Sequence, residues 1–276
     1  MTETKSARIL EIAQAIRCDV LEMTYRSGVN GGHLGGAFSS AEILATLYGH
    51  IMNISAENIQ DDERDRFILS KGHSAIGHYA VLHECGFISK DEMYTFELPD
   101  TAFPTHEIMN ITKGIEISSG SLGYGLSIAV GIALNGKRRR KRYKTYVLMG
   151  DGECNEGTVW EAAMAASKFQ LSNVIAVVDV NGQSLDGYIE GTMPIQDMKK
   201  VWNGFGWNVI DIEDGNNILE LERGFNGISN EKPNVVLAHT VKGKGIPSIE
   251  GTVGWHHARL NKEQYESFKN ILEGAQ

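Results

Sequence analysis

Three acidic residues lie close together in the segment GDGECNEG, residues 150–157: Asp151, Glu153 and Glu156. The preceding apolar run, residues 145–149 (TYVLM), is typical of a buried strand. Glycine-rich turns after strands usually receive phosphates, which a carboxylate would repel. The repulsion disappears if a divalent cation lies between the two groups. The segment therefore raises two possibilities, a tight turn that serves only geometry or a metal–phosphate site.

A second polar turn, VNGQ, favours the metal site. Residues 173–180 (NVIAVVDV) predict a strand buried on both faces, and Asn181 follows it. A strand–helix–strand unit brings the ends of its parallel strands to one sheet edge, so Asp151 and Asn181 should be neighbours. After Gly182 and Gln183 turn the chain, a backbone carbonyl can point at the same ion. Because Mg²⁺ prefers oxygen ligands and completes its shell with phosphate oxygens and water, we predict a magnesium–diphosphate site.

Histidines in irregular loops are further candidates for chemistry. The chain has nine histidines, and four lie in loops rich in glycine or other small residues: His33, His73, His106 and His256. Histidine both donates and accepts protons near neutral pH, which suits a reaction among hydroxyls and a carbonyl. Three others occur in helix-like runs and are interpreted as packing or surface residues: His50, His78 and His83.

The elements that position these residues alternate between strand-like and helix-like patterns. Strands are predicted at residues 66–70, 145–149, 173–180, 207–212 and 234–240. Helices are predicted at 5–26, from Ser39 or Ser40 onward, at 79–84, 126–134, 158–169, 197–204 and 217–228. This alternation predicts one α/β domain over residues 1–276, with a doubly wound, mostly parallel sheet and helices on both faces. Ligands bind beyond the carboxyl ends of such strands, which selects the loops 70–75, 150–157, 180–187 and 240–257.

Composition excludes several classes of function. The net charge of −9 and a pI near 5.5 argue against nucleic acid as the main partner. The basic segment at residues 136–144 (GKRRRKRYK) is interpreted as a solvated loop that faces a helix C-terminus, with a nucleic-acid patch or localisation signal as the alternative. The cysteines, Cys18, Cys85 and Cys154, lack CxxC spacing. Without a signal-peptide core or membrane span, we expect a soluble cytoplasmic protein.

The GDG motif followed by an asparagine at a strand end resembles the thiamine diphosphate fingerprint. The longer stretch at residues 150–187, GDGECNEGTVWEAAMAASKFQLSNVIAVVDVNGQSLDG, resembles transketolase in particular. The similarity covers nearly the whole chain, but it corresponds only to the N-terminal, diphosphate-binding domain of full-length transketolases. It therefore implies the N-terminal subunit of a split transketolase. The pyrimidine-binding and C-terminal domains would lie on a partner chain in an α2β2 assembly.

The resemblance also implies roles for individual residues. Asp151, Asn181 and the carbonyl of Gln183 would hold Mg²⁺, and the Gly152 amide would contact the diphosphate of the cofactor. Glu156 would couple, at the subunit interface, to the partner's glutamate that activates the aminopyrimidine ring. The segment that lies against that ring corresponds to Gly120 and Leu122. No role follows for Glu153.

The loop histidines match positions that face cofactor and substrate in transketolases. His73 and His256 resemble those near the diphosphate and thiazolium, while His33 and His106 resemble those that bond the donor's hydroxyl and carbonyl oxygens. Two adjacent histidines, His256 and His257, could occupy the last of these positions along the chain, and the match favours His256. The sequence departs from the family at Leu34, where proline is usual.

The resulting hypothesis is a thiamine diphosphate- and Mg²⁺-dependent transferase that moves a two-carbon ketol unit from a ketose or ketose phosphate to an aldose. The activating glutamate is expected on the partner, so the chain alone is predicted to be inactive. Another type of thiamine enzyme is an alternative, related to deoxyxylulose-phosphate synthase or to a 2-oxo acid dehydrogenase component, although the histidine set disfavours the dehydrogenase. A non-catalytic partner of an active enzyme is a third possibility. The sequence does not identify the sugars.

Overall fold

The computed structural model describes residues 3–274, and its central feature is a five-stranded sheet. The strands are β1 (Arg66–Leu69), β2 (Thr145–Gly150), β3 (Val174–Val180), β4 (Asn208–Ile212) and β5 (Asn234–His239). Their order is β1-β2-β3-β5-β4, and every neighbouring pair is parallel. The parallel α/β sheet predicted from the sequence is therefore confirmed.

Helices connect the strands and cover the sheet. In chain order they are α1 (Glu3–Arg26), α2 (Leu34–Ser39), α3 (Ala41–Thr46), α4 (Ala75–Glu84), α5 (Lys90–Met93), α6 (Tyr124–Arg138), α7 (Gly157–Lys168), α8 (Met198–Gly204), α9 (Ile218–Phe225) and α10 (Lys262–Gly274). A π-helical turn, Leu47–Ile51, extends α3, and short 3-10 turns precede α4 and α7. Parallel strands need such crossover connections, which place helices on the sheet faces.

Two hydrophobic cores lie on the two faces of the sheet. Along β2, Tyr146 and Leu148 point into the core formed with α1 to α4, α9 and α10. The alternate residues Val147 and Met149 point into the core formed with α6, α7 and α8. Successive strand side chains point to opposite faces, so strands covered on both sides read as continuous apolar runs. This explains why the strands were recognisable without an alternating pattern.

The helix start expected near Ser39 or Ser40 is confirmed, since α3 begins at Ala41 with Ser40 at its N-cap position, but neither serine side chain forms a capping hydrogen bond. The short helix α2, which begins at Leu34, was not predicted. The Ser40 hydroxyl donates instead to the Gly36 carbonyl at 2.9 Å, and the Ser39 hydroxyl donates to Asp179 at 2.7 Å. Both hydroxyls are therefore already engaged.

The C-terminal helix α10 was not predicted, although its sequence carries a signal. Tyr265, Phe268 and Leu272 are buried at helical spacing, and Asn261 accepts a hydrogen bond from the Gln264 amide at 2.8 Å as a cap would. The helix packs against α1, where Tyr25 and Tyr265 stack with ring centroids 4.1 Å apart.

The basic segment lies at the end of α6, and its cations have local partners. Lys137 donates to the carbonyls of Phe169 and Gln170, both at 2.8 Å, which are exposed just past the end of α7. Lys141 pairs with Glu63 at 3.0 Å. The interpretation that the cations face a helix C-terminus thus holds for Lys137, whereas Lys141 faces an acidic side chain. Among residues 3–274, no helix is long and apolar enough to cross a membrane.

Candidate active site

A cavity of about 340 Å³ opens at the carboxyl edge of the sheet. It is lined by residues of all four loops that were selected because they follow the carboxyl ends of strands, namely the loops after β1, β2, β3 and β5. The loop before α2 and the loop before α6 supply the remaining walls. The strand ends and these two loops therefore converge on one place.

Asp151 connects the ends of β2 and β3. Its Oδ1 accepts from the Gly152 amide at 2.9 Å, and its Oδ2 accepts from the Gly182 amide at 2.6 Å. The turn that presents the second amide has φ +73° at Gly182, a left-handed conformation that glycine adopts without strain. The predicted adjacency of the two strand ends is confirmed.

Asp151 is 5% exposed, and among residues 3–274 no cationic side chain lies within ion-pair distance of its carboxylate, although the charge of Lys71 acts on it from farther away. Burial, together with the nearby Asp179 carboxylate, raises the pKa of Asp151 to about 6. A buried carboxylate without a counter-ion is costly unless a cation binds it. The local electrostatics therefore favour a bound cation.

Asn181 and Gln183 lie beside this carboxylate and line the same cavity. The side-chain oxygen of Asn181 accepts from the Gln183 amide at 3.1 Å, and its Nδ2 donates to Asp179 at 3.0 Å. The Gln183 side chain donates to the carbonyl of Gly251 at 2.7 Å. The three residues predicted to bind the metal thus line one cavity, joined by hydrogen bonds through Gly182 and the Gln183 amide.

A buried ion pair, Lys71 with Asp179, lies beneath the cavity. Lys71 is 1% exposed, and its ammonium donates to Asp179 and, at 3.0 Å, to the Gly36 carbonyl. Asp179 also accepts from Ser39 and Thr240. Burial alone would raise the pKa of Asp179, but Lys71 and the hydrogen bonds hold it below its usual value.

The four loop histidines meet at the cavity. The His33 ring lies 5.7 Å from His73, 5.8 Å from His106 and 5.3 Å from His256, between ring centroids. His73 and His256 are 4.9 Å apart. His257 also approaches His33, at 4.7 Å, but only His256 of the doublet lines the cavity. The geometry thus agrees with the choice of His256.

Burial keeps three of these imidazoles, His33, His73 and His256, neutral near pH 7. It lowers the pKa of His33 to about 3, with His256 and His257 adding to the effect. It lowers the pKa of His256 to about 4, with the nearby Lys242 as the next cause. The pKa of His73 is also depressed, by burial and then by Lys71. Neutral imidazoles can donate one hydrogen bond and accept another, which suits hydroxyl and carbonyl partners.

Lys242 was missed by the sequence reasoning, although it lies in a selected loop. Its ammonium is 3.3 Å from His256 Nδ1 and donates to the Ser184 carbonyl at 3.2 Å. Burial and the Lys71 charge lower the pKa of Lys242 to about 8. A lysine in the glycine-bearing run VKGKG, directly after a strand, was the available signal. Lys242 adds a cation to the cavity, which favours anionic ligands.

Gly120, Leu122 and Gly152 line the cavity, but Glu156 does not. Glu156 is exposed at the start of α7, and its side chain makes no capping hydrogen bond. A methyl group on Gly123, at the start of α6, would lie 2.7 Å from the Glu156 Cβ. Glu156 is therefore outside the cavity, on the surface where two helices begin.

Glu153, to which no role could be assigned from the sequence, is a buried acceptor of hydrogen bonds from several segments. Its Oε1 accepts from the Gly123 amide at 2.7 Å and from the Ser70 hydroxyl, and its Oε2 accepts from the Gly150 amide at 3.1 Å. These donors come from the ends of β1 and β2 and from the loop before α6. Glu153 therefore joins three segments that wall the cavity.

The helical histidines lie away from this cavity. His78 is buried between the Tyr48 hydroxyl, at 2.6 Å, and the Glu107 carboxylate, so its interpretation as a packing residue is confirmed. His50 lies 3.4 Å from Glu222 at the protein surface. His83 lies at the opposite end of α4 from His73.

Comparisons with known proteins identify relatives of this chain. Residues 9–274 match the sequence profile of the family described as "Transketolase, thiamine diphosphate binding domain". The chain is 38% identical over 249 residues to one of the subunits of the apulose-4-phosphate transketolase of Phocaeicola vulgatus, covering 90% of this chain and 87% of the relative. It is 38% identical over 263 residues to a 6-deoxy-6-sulfo-D-fructose transketolase subunit of a Clostridium species, covering 95% and 94%.

Full-length transketolases match over part of their length only. The human enzyme is 35% identical over 267 residues, which are 96% of this chain and 42% of the relative. The solved transketolase from Leishmania mexicana superposes with a TM-score of 0.88 at 28% identity, covering 96% of this chain and 41% of that one. Profile, identity and fold agree, and the chain belongs to the transketolase family, in which it matches the thiamine diphosphate-binding domain.

Proposed function

We propose that this chain is the N-terminal, diphosphate-binding subunit of a transketolase that functions with a separate partner subunit. The complex would transfer a two-carbon ketol unit from a ketose or ketose phosphate to an aldose. The observation that carries the proposal is the convergence of the Asp151 cluster and four loop histidines on one cavity. In this proposal residues 1–276 form one domain, and the pyrimidine-binding and C-terminal domains belong to the partner.

Mg²⁺ would bind to Asp151, the side chain of Asn181 and the backbone carbonyl of Gln183. The fit rests on chemistry: these are oxygen donors, and among residues 3–274 no cationic side chain pairs with the buried Asp151 carboxylate. Magnesium usually takes one or two protein carboxylates and completes its shell with phosphate oxygens and water. The ion would make the GDG turn acceptable to an anionic diphosphate.

Thiamine diphosphate would occupy the 340 Å³ cavity, with its diphosphate at the Gly152 turn. Gly152 lines this cavity and has no side chain to occupy the space where the phosphate would lie. Lys242 would add positive charge, while Gly120 and Leu122 would lie against the aminopyrimidine ring. The cofactor supplies the electron sink that the side chains of this chain lack.

The histidines would bind and orient the substrate. His33 and His106 would bond the hydroxyl and carbonyl oxygens of the donor, while His73 and His256 would lie nearer to the cofactor. Because burial keeps the pKa of His33 and His256 well below 7, these rings are neutral and can each donate one hydrogen bond and accept another from sugar oxygens. Rings whose centroids lie 4.9–5.8 Å from a neighbour can serve successive hydroxyls along a sugar.

A partner subunit would cover the exposed surface beside Glu156. Large apolar side chains are exposed there on α6 and α7, namely Tyr124 and Ile128 on one helix and Met164 on the other. Such exposed apolar residues beside a polar rim mark protein-binding surfaces. Glu156 would then meet the partner's catalytic glutamate across the interface. The α2β2 stoichiometry and the cytoplasmic location stay predictions from the sequence.

The test is reconstitution. The purified chain with thiamine diphosphate and Mg²⁺ should transfer no ketol unit, and adding a C-terminal transketolase subunit should produce the activity. Chromatography of the products distinguishes ketol transfer from decarboxylation of a 2-oxo acid. Substantial transfer by the chain alone would contradict the split-subunit proposal, and activity that survives replacement of His33 or His106 would favour a non-catalytic role.

A sugar with an anionic substituent is the favoured donor. The two relatives named as transketolase subunits carry the names of a phosphorylated sugar and a sulfonated sugar, both of which are anionic. Lys242 lines the cavity and is a cation that could attract such a donor as well as the diphosphate. Comparing phosphorylated, sulfonated and neutral ketoses in the reconstituted assay would identify the donor class.

A further inference from the structure

A buried carboxylate outside the cofactor cavity lacks a partner. Asp19 lies in α1 and is 7% exposed, and its Oδ2 is fully buried without a hydrogen-bond partner among residues 3–274. Buried polar atoms are nearly always hydrogen-bonded, and a buried charge needs an opposite charge or a metal. Asp19 therefore points to a group that binds at this place.

Two side chains at the end of α4 face this carboxylate. One ligand atom from each of Asp19, His83 and Glu84 lies within 4.8 Å of the others. His83 Nε2 and Glu84 Oε1 are 4.0 Å apart, too far for a hydrogen bond, and a tetrahedral ion with bonds of about 2.0–2.2 Å would draw them a few tenths of an ångström closer. The three side chains are buried or half-buried, unlike ordinary surface acids.

The orientation of His83 suits a metal ligand. Its Nδ1 lies 3.2 Å from the Ile88 carbonyl oxygen, which can only accept a hydrogen bond. A hydrogen bond to this carbonyl requires the proton on Nδ1, and in that tautomer the Nε2 lone pair faces away and can bind a metal. Metal-binding histidines almost always donate their other ring N–H to a carbonyl or carboxylate in this way.

The surrounding charge also favours a cation. Glu84 is the last residue of α4, where the helix dipole is negative and an acid is normally unfavourable. Glu22 adds negative charge near Asp19 and Lys90 opposes it. A cavity of about 190 Å³ is lined by Asp19, whereas His83 and Glu84 lie outside its lining. Lys90 and Lys269 both line this cavity, and among residues 3–274 neither ammonium forms an ion pair with the Asp19 carboxylate.

We propose that Asp19, His83 and Glu84 form a binding site for a first-row divalent cation such as Zn²⁺, which ties α1 to the end of α4. One imidazole nitrogen and two carboxylates suit zinc, whereas Mg²⁺ prefers oxygen ligands and retains its water. The ligand type thus separates this site from the cluster at Asp151. Binding to the folded state alone would stabilise the protein increasingly as the zinc concentration rises.

The first test is a zinc titration of the full chain in buffer that contains Mg²⁺ and thiamine diphosphate. Calorimetry measures zinc binding, and thermal unfolding measures stability. Wild type should bind one equivalent of Zn²⁺, and Asp19→Asn and His83→Gln should each weaken its affinity at least about tenfold. His50→Gln is the matched control, because His50 also faces a glutamate but has no third ligand in a cluster among residues 3–274. It should bind zinc as the wild type does.

Stability in the absence of metal separates a binding defect from a folding defect. Without zinc, Asp19→Asn should be at least as stable as the wild type, because an unpaired buried carboxylate has been removed. With zinc, the wild type should melt at a higher temperature and the variant should not respond. Equal zinc responses in both proteins would overturn the proposal.

The second test locates the ion. Crystals soaked in zinc chloride should give an anomalous peak between Asp19, His83 and Glu84. A peak confined to the cavity histidines, or an ordered water between the three side chains without anomalous signal, would overturn the assignment.

Discussion

The three acids of GDGECNEG have three different environments, which their spacing alone does not reveal. Asp151 bridges two backbone amides beside the cavity, Glu153 accepts from three donors in the interior, and Glu156 is exposed at a helix start. Asp151 could be identified from the sequence as a candidate metal ligand, because a strand precedes it and Asn181 follows the next strand. Glu153 could not, because its partners Ser70 and Gly123 are distant in the chain and only the tertiary fold brings them together.

Replacing Glu153 by Gln should destabilise the chain by about 1–3 kcal/mol. The new NH₂ group would face a backbone N–H, either of Gly123 or of Gly150, and leave one donor without an acceptor. The exposed Glu161 on the neighbouring helix is the matched control, and Glu161→Gln should change the free energy of unfolding by less than about 0.5 kcal/mol. Urea unfolding measures both. Equal stability of the two variants would show that Glu153 is not an ionised acceptor.

At the scale of secondary structure, the buried strands and most of the long helices were predictable, whereas α10 and the short helix α2 in a glycine-rich segment were not. The strands were continuous apolar runs, which both cores explain. The segment SGVNGGHLGG looked like a loop because glycine disfavours helix. It nevertheless contains the start of α2, because its small residues fit against neighbouring backbone: a methyl group on Gly35 would lie 2.5 Å from the Trp255 carbonyl. Such tertiary fit overrides local propensity.

Two glycines, one at the start of α6 and one within it, should respond oppositely to alanine. Gly123 has φ +85°, and a methyl group there would lie 2.5 Å from the Thr158 hydroxyl. Gly123→Ala should therefore cost at least about 1–2 kcal/mol, from the left-handed backbone alone. Gly131 is exposed within the helix with nothing within 4 Å of an added methyl group, so Gly131→Ala should gain up to about 1 kcal/mol. Thermal unfolding distinguishes them, and the same sign of change for both would contradict this description.

At the scale of the whole molecule, the sheet and its ligand-binding edge followed from the strand–helix alternation, and the cavity lies at that edge. The sequence also located the four histidines that meet there. It did not indicate the Lys71–Asp179 pair beneath them, because a buried ion pair between distant residues leaves no local pattern. The apolar surface on α6 and α7 was likewise invisible, since exposed and buried apolar residues look the same in a helical repeat.

The surface on α6 and α7 should control assembly. Met164 is 53% exposed there, and Met164→Glu would place an unpaired charge in the interface, weakening assembly at least about tenfold. Leu219 is 45% exposed on α9 and provides the matched control, so Leu219→Glu should assemble normally. Analytical ultracentrifugation of mixtures with the C-terminal subunit measures the difference. Normal assembly of Met164→Glu would place the interface elsewhere.

The most direct test of the proposed site is Mg²⁺-dependent cofactor binding by the assembled complex, measured by calorimetry. With the wild-type chain, thiamine diphosphate should bind when Mg²⁺ is present and bind far more weakly when it is chelated. Asp151→Ala should abolish the Mg²⁺-dependent binding, whereas Glu161→Ala on the exposed face of α7 should not alter it. If Asp151→Ala bound the cofactor with the affinity and Mg²⁺ dependence of the wild type, the proposed role of Asp151 as the metal ligand would be wrong.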